Sequence, residues 1–120
     1  MAKPTYPGPP EALAKYEAAV AALPEVERKG AKNPYTSRNG HMFSFLAPEG
    51  FAAVRLSNEL RDEFASEYEA KPVEQYGRTM NGYVEIPAAL LDDTDRLAGW
   101  LARSHEWIGT LNPKPTKKSK

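Results

Sequence analysis

The sequence predicts an α+β fold: an antiparallel sheet of about five to six strands, formed by a meander and a hairpin, with an N-terminal helix, a middle helix and a long C-terminal helix on one face. Three observations support this prediction. Hairpin turn sequences divide the strand-rich middle of the chain, helical apolar spacing occurs before, between and after the strands, and the regular strand–helix alternation of a parallel sheet is missing. With 120 residues, 41% of them hydrophobic, the chain has the size of one domain with its own core.

The first helix is predicted to begin near Pro10, because proline is tolerated in the first turn of a helix. Apolar residues recur at helical spacing between positions 13 and 23, and Pro24 ends this pattern. Residues 1–9 are rich in proline and are expected to form a flexible leader outside the domain. A short edge strand is predicted at residues 26–29.

The strand meander is predicted from its turns. The dipeptide Asn39-Gly40 lies between strands predicted at 35–38 and 41–46, and it accommodates the positive φ angles of a tight hairpin turn. The turn composition at 48–50 then separates the second strand from a third at 51–56.

The middle helix is predicted to follow Ser57, whose side chain suits an N-terminal cap. Leu60, Phe64 and Tyr68 share one face of this helix. The opposite face is acidic and is interpreted as solvated, with docking of a basic partner as the alternative. Its residues are Glu59, Asp62, Glu63 and Glu67.

A second hairpin is predicted from strands at 73–78 and 83–86, with its turn at Met80-Asn81-Gly82. A helical turn at 88–91 and the long last helix follow.

The last helix has the strongest apolar stripe, which includes Trp100 in the core and places Trp107 nearer its border. Asp92, Asp93 and Asp95 precede or begin it and are interpreted as helix caps in preference to a cation site. The domain is expected to span residues 10–111, and residues 112–120 are expected to form a disordered lysine- and proline-rich tail.

The composition excludes several classes of site. The chain has no cysteine, and its two histidines, His41 and His105, are too few for a histidine metal cage. The serines show no nucleophile-elbow pattern, and the glycines show neither a P-loop nor a dinucleotide fingerprint. We therefore expect no catalytic residues, no cofactor and no metal, and a domain that is not an enzyme.

The formal net charge is zero, but the charge is unevenly distributed. Residues 1–10 carry +1, residues 112–120 carry +4, and residues 11–111 carry −5. A mildly acidic body argues against a broadly basic binding face, whereas weak contact between the basic ends and an anionic partner stays open. No stretch resembles a signal peptide or a membrane span, so we expect a cytoplasmic protein without membrane contact.

Several segments resemble the TfoX/Sxy N-terminal domain. The stretch KPVEQYGRTMNGYVEIP at 71–87, LLDD at 90–93 and LAGWL at 97–101 are similar to its second half, and NGHMFSF at 39–45 resembles a hairpin of the same family. The similarity covers residues 10–111, and a more distant one connects the chain to YjbR/MmcQ-type domains, which share a small α+β shape. The resemblance implies a single-domain relative of a family associated with regulation of natural competence, and it transfers no catalytic residues.

Two arginines and two tyrosines on neighbouring predicted strands form a candidate interaction surface on the sheet face away from the helices: Arg55, Tyr76, Arg78 and Tyr83. Trp107 is a further candidate contact. Such side chains can bind single-stranded nucleic acid by stacking and phosphate contacts, although cross-strand pairing, for example with Glu85, explains the same residues.

Three functions stay open at this point. The first is a non-catalytic binding or regulatory module with a protein partner, which the resemblance and the lack of catalytic motifs favour. The second is a weak nucleic-acid-binding accessory protein that uses the basic tails and the Arg/Tyr face. The third is a small-ligand pocket or enzyme lined by Tyr35, Tyr76 and His41.

Overall fold

The computed structural model describes residues 6–24, 26–30, 34–38, 40–69, 71–75 and 78–111. The elements in chain order are α1 (Pro10–Ala21), β1 (Tyr35–Arg38), β2 (His41–Leu46), β3 (Ala52–Arg55), α2 (Asn58–Glu67), β4 (Pro72–Gln75), β5 (Arg78–Glu85), α3 (Ala88–Leu91) and α4 (Thr94–Ile108). They confirm the predicted α+β class. The predicted tail, residues 112–120, lies outside the described residues, as do residues 1–5 of the predicted leader.

The sheet has five antiparallel strands in the order β1-β2-β3-β5-β4 within the described residues. An isolated antiparallel bridge between Lys29 and Tyr35 lies beside β1. Lys29 N donates to Tyr35 O at 2.8 Å, and Tyr35 N donates to Lys29 O at 2.9 Å. The short edge strand predicted at 26–29 is therefore reduced to this one bridge.

The first hairpin has the predicted turn, because Arg38 pairs with His41 and Gly40 has φ +81°. Asn39 lies outside the described residues. The predicted turn of the second hairpin, at 80–82, is wrong, since these residues lie inside β5 and Gln75 pairs directly with Arg78.

Gly82 has a positive φ of +85°, as a turn residue would, but it lies in a β-bulge of β5. Pro72 pairs with Val84, whereas Glu74 pairs with Thr79, so β5 contains extra residues between these two pairs. A glycine with positive φ therefore bends a strand here where the sequence pattern predicts a turn.

The helices pack on one side of the sheet, termed the helix-covered face. Its buried core includes Tyr16, Val20, Leu46, Val54, Phe64, Val84, Ile86, Leu97, Trp100 and Leu101. The predicted caps are present: the Ser57 hydroxyl accepts a hydrogen bond from Leu60 N at 3.2 Å, and the Asp93 carboxylate accepts one from Arg96 N at 3.2 Å. These caps end the segments that lead from β3 into α2 and from α3 into α4.

The packed chain begins before the predicted boundary at Pro10. Tyr6 is buried in the helix-covered core, and its hydroxyl donates a hydrogen bond to Ala47 O. Gly8 passes so close to the turn after β2 that an added Cβ would lie 2.5 Å from Pro48 O. The segment at 6–9 is therefore tied to the domain.

Candidate binding surface

A second apolar cluster lies on the other side of the sheet, termed the open face. Its buried members are Phe45, Ala47, Ala53, Val73 and Tyr83, and the partly exposed side chains packed against them are Tyr35, Met42, Phe51 and Met80. Every one of these residues belongs to a strand or to a connecting turn. Within the described residues, no helix contributes to this cluster.

Strand alternation explains how the chain fills both faces. Along β3, Ala52 and Val54 belong to the helix-covered core, whereas Ala53 between them belongs to the open face. The same alternation separates Val84 from Tyr83 on β5.

A bulge in β2 changes this alternation. Thr36 pairs with Ser44 but Ser37 pairs with Met42, which leaves Phe43 without a partner in β1. The Phe43 ring contacts the His105 ring on α4, with centroids 5.6 Å apart, while Met42 packs on the open face. The bulge therefore directs a methionine toward the open face and a phenylalanine toward α4.

Tyr83 lies across the open face. Its hydroxyl donates a hydrogen bond to Met42 O on β2 at 2.7 Å, and its ring centroid lies 5.5 Å from that of Phe45. Burial raises the pKa of Tyr83 to about 12, and the nearby charge of Arg55 partly opposes this shift. Because only 7% of the residue is exposed, its ring packs within the cluster and does not form the exposed stacking surface that the sequence predicts.

Arg55 lies at the end of β3, where it pairs with Tyr83. Its side chain passes over Gly82, since a Cβ added there would lie 3.4 Å from Arg55 Cγ, and its Cζ atom lies 5.5 Å from the centroid of the Trp107 ring. The Ser104 hydroxyl donates a hydrogen bond to Arg55 O, which fixes the C-terminal half of α4 beneath this position.

Arg55, Gly82 and Trp107 contribute to the lining of a shallow cleft of about 390 Å³, termed the Arg55 cleft. Its lining residues are Arg55, Leu56, Ser57, Asn58, Gly82 and Trp107. In the described part of the chain, no carboxylate lies within ion-pairing distance of the Arg55 guanidinium. The cleft therefore contains a half-buried cation whose contact is an aromatic ring.

The structure brings together three of the five residues in the predicted interaction surface: Arg55, Tyr83 and Trp107. Tyr76 lies outside the described residues, and Arg78 begins β5 with its side chain outside the described part.

The residues that the sequence pattern missed are Met42, Phe51 and Met80, which are partly exposed on the open face; Tyr35 beside them is predicted only as part of a ligand pocket. The sequence of β2 could have indicated this surface. It has apolar residues at successive positions, as strands buried on both faces do.

A larger cleft of about 480 Å³ lies between the segment after α1 and the C-terminal half of α4. Both arginines that line it already have partners. Arg38 donates a hydrogen bond to His105 O at 3.0 Å in the last turn of α4, and Arg103 pairs with Glu63.

The described residues do not form the small-ligand pocket that the sequence predicts as a third function. Tyr35 belongs to the open face, His41 begins β2, and Tyr76 lies outside the residues that the structure describes. Neither Tyr35 nor His41 lines either cleft described above.

The predicted acidic clusters have structural roles. Asp93 caps α4, and Asp92 forms an ion pair with Lys15 on α1. In the ranges that the structure describes, no group of three or more His, Cys, Asp or Glu side chains could hold a metal ion.

Comparison with family models, curated proteins and solved structures finds no match to this chain. Among the described helices, none combines the length and apolar character needed to cross a membrane.

Proposed function

We propose that this domain is a non-catalytic binding module that receives an apolar segment of another protein on the open face. The observation that supports the proposal is the second apolar cluster, whose rim residues Tyr35, Met42, Phe51 and Met80 stay partly exposed. An antiparallel sheet commonly presents polar residues on the face that helices leave uncovered. Contiguous apolar surface on such a face is typical of an interaction site.

The chemistry of the open face favours binding over catalysis. The titratable members of the apolar cluster are Tyr35 and Tyr83, and burial raises the pKa of Tyr83 to about 12. A general acid or base acts best with a pKa near the working pH, which this phenol lacks. The resemblance to the TfoX/Sxy domain, with its regulatory association, is part of the same proposal.

Met42 and Met80 suit recognition of a peptide segment. Both lie on the rim of the open face, one on β2 and the other on β5. Methionine is unbranched and polarizable, so it can adapt its rotamer to apolar groups of different shape. We therefore expect the face to accept an apolar segment with a tolerant sequence requirement.

Selection of short random peptides displayed on phage against the immobilised full chain tests this proposal. We expect the selected peptides to be rich in aromatic and aliphatic residues. Met42→Glu should abolish their binding, because it places a charge on the apolar rim. Ala18→Glu, on the exposed surface of α1, introduces the same charge away from the open face and is the matched control, which should leave binding unchanged. Peptides that bind Met42→Glu as well as the wild type would overturn the proposal.

A further inference from the structure

We infer that the Arg55 cleft recognises one carboxylate group that adjoins the apolar segment bound on the open face. This inference rests on the proposed function and defines the partner more narrowly, as a protein segment in which an acidic residue flanks apolar ones. It concerns Arg55 and Trp107, which the open-face cluster does not include.

The geometry of Arg55 suits a carboxylate. A guanidinium stacked on an aromatic ring keeps its N–H groups at its edge, where they can donate two parallel hydrogen bonds to one carboxylate. Arg55 Cζ lies 5.5 Å from the Trp107 ring centroid, and both residues line the cleft. In the described part of the chain, no acidic side chain pairs with Arg55, so an incoming carboxylate has no internal competitor there.

The cleft lies at the end of β3, next to the open face, and its lining residues are outside the open-face cluster. Arg55 pairs with Tyr83, and paired residues of neighbouring strands project to the same side of a sheet. Gly82 has no side chain between them, and a Cβ at this position would contact Arg55 Cγ at 3.4 Å. A bound segment that covers Tyr83 therefore has to extend past the end of β3 to reach the guanidinium.

Charge favours a single carboxylate over a nucleic acid. Residues 11–111 have a net charge of −5, and α2, which begins at the cleft, has the exposed acidic residues Glu59, Asp62 and Glu63. A polyanion would place several phosphates beside these carboxylates, and like charges repel. One carboxylate needs only the one cation that the cleft provides.

The same displayed peptide library tests the inference when it is selected separately against the wild type and against Arg55→Met. We expect wild-type selection to enrich apolar peptides with an adjoining Asp or Glu, and Arg55→Met selection to lose the acidic position while keeping the apolar ones. The best wild-type peptide should bind Arg55→Met about tenfold more weakly. Arg96→Met, which removes an exposed arginine of α4, should bind that peptide like the wild type.

Three outcomes would overturn the inference. Apolar peptides without an acidic preference would remove it and leave the proposed function standing. Failure to select any peptide would remove both. A single-stranded oligonucleotide that binds the wild type, competes with the selected peptide and loses affinity in Arg55→Met would assign the cleft to nucleic acid.

Discussion

The two faces of the sheet bury apolar residues to different extents. On the helix-covered face, Phe64 and Leu97 are 0% exposed beneath the helices. On the open face, Phe45 and Tyr83 are covered by neighbouring strand residues, and Met42 and Met80 at the rim stay partly exposed. The difference shows that apolar composition alone does not define the core: the chain's own helices cover one face, whereas none of the described helices covers the other.

Buried hydroxyl groups have hydrogen-bond partners on both faces of the sheet. The two faces therefore differ in whether helices cover their apolar residues. Under the helices, the Tyr16 hydroxyl lies 2.7 Å from Ser44 Oγ, which also hydrogen-bonds Thr36 Oγ1. On the open face, the Tyr83 hydroxyl has Met42 O as its acceptor. Both clusters have partly buried apolar residues at their edges, so the distinguishing property of the open face is that none of the described helices covers it.

The largest expected difference between the faces is the cost of removing an aromatic ring. Phe64 is fully buried and contacts Trp100 and Tyr68, so Phe64→Ala should lower the free energy of unfolding by about 3–5 kcal/mol. Phe51→Ala, at the rim of the open face, is the control, with an expected loss of about 1 kcal/mol. Urea denaturation measures both, and Phe64→Leu keeps the comparison measurable if the alanine variant is unfolded. Equal losses at the two positions would contradict the contrast.

Alkaline pH should act on the open face through Tyr83. Its phenol ionises near pH 10 in the unfolded chain, whereas burial raises its folded pKa to about 12. The stabilisation is therefore complete below pH 10 and is lost as the pH rises through 12, because the unfolded state releases the proton first. Tyr83→Phe should remove up to about 2–3 kcal/mol of this alkaline destabilisation.

Denaturation series below pH 10 and near pH 12 measure this effect. Burial also raises the pKa values of Tyr6 and Tyr16, which belong to the helix-covered core, so part of the alkaline loss should persist in Tyr83→Phe. An alkaline loss identical in wild type and Tyr83→Phe would show that this phenol is not protected by the fold.

The buried hydroxyls of the helix-covered face should have a smaller effect. Tyr16→Phe removes one hydrogen bond to Ser44 inside the core, and we expect a loss of about 1–2 kcal/mol in the free energy of unfolding. Tyr68→Phe is the matched control, because its hydroxyl accepts from Arg96 at the surface and its removal should change stability by less than about 0.5 kcal/mol. A neutral Tyr16→Phe would mean that the internal hydrogen bond contributes no net stability.

The smallest expected effect is at the Arg55 cleft. Arg55→Met removes a partly exposed cation–π contact with Trp107 and should lower the free energy of unfolding by about 0.5–1 kcal/mol. Arg103→Met gives a comparison at a second cation–π contact with a tryptophan of α4, because Arg103 Cζ lies 4.7 Å from the Trp100 ring centroid. A much larger loss for Arg55→Met would indicate a structural role for this residue.

Local rules predict most of the fold. Ser57 and Asp93 cap their helices, and Gly40 forms the first hairpin turn, because each of these features depends on neighbouring residues. The turn at 80–82 could not be predicted in the same way. Gly82 needs a positive φ in a turn and in a bulge alike, and only the pairing of β5 with β3 and β4 decides between them.

The candidate site is harder to predict from the sequence than the fold is. Arg55 and Trp107 meet because β3 and the end of α4 pack together, and no spacing along the chain encodes that contact. For Tyr83, the alternation of side chains along the strand predicts which side of the sheet it lies on. Its burial depends on Phe45 and Met42, which lie on β2, and β3 separates that strand from β5. Element type is local information, whereas exposure depends on long-range packing.

The hydrogen bond from Tyr83 to Met42 O also determines how rigid the open face is. It connects β5 to β2 across the intervening β3 and so holds these strands together on the open face. A partner that binds there meets a preorganised backbone, and association costs little ordering of the strands. The adaptable part of the surface is then confined to flexible side chains such as Met42 and Met80, whose rotamers can follow the shape of the bound segment.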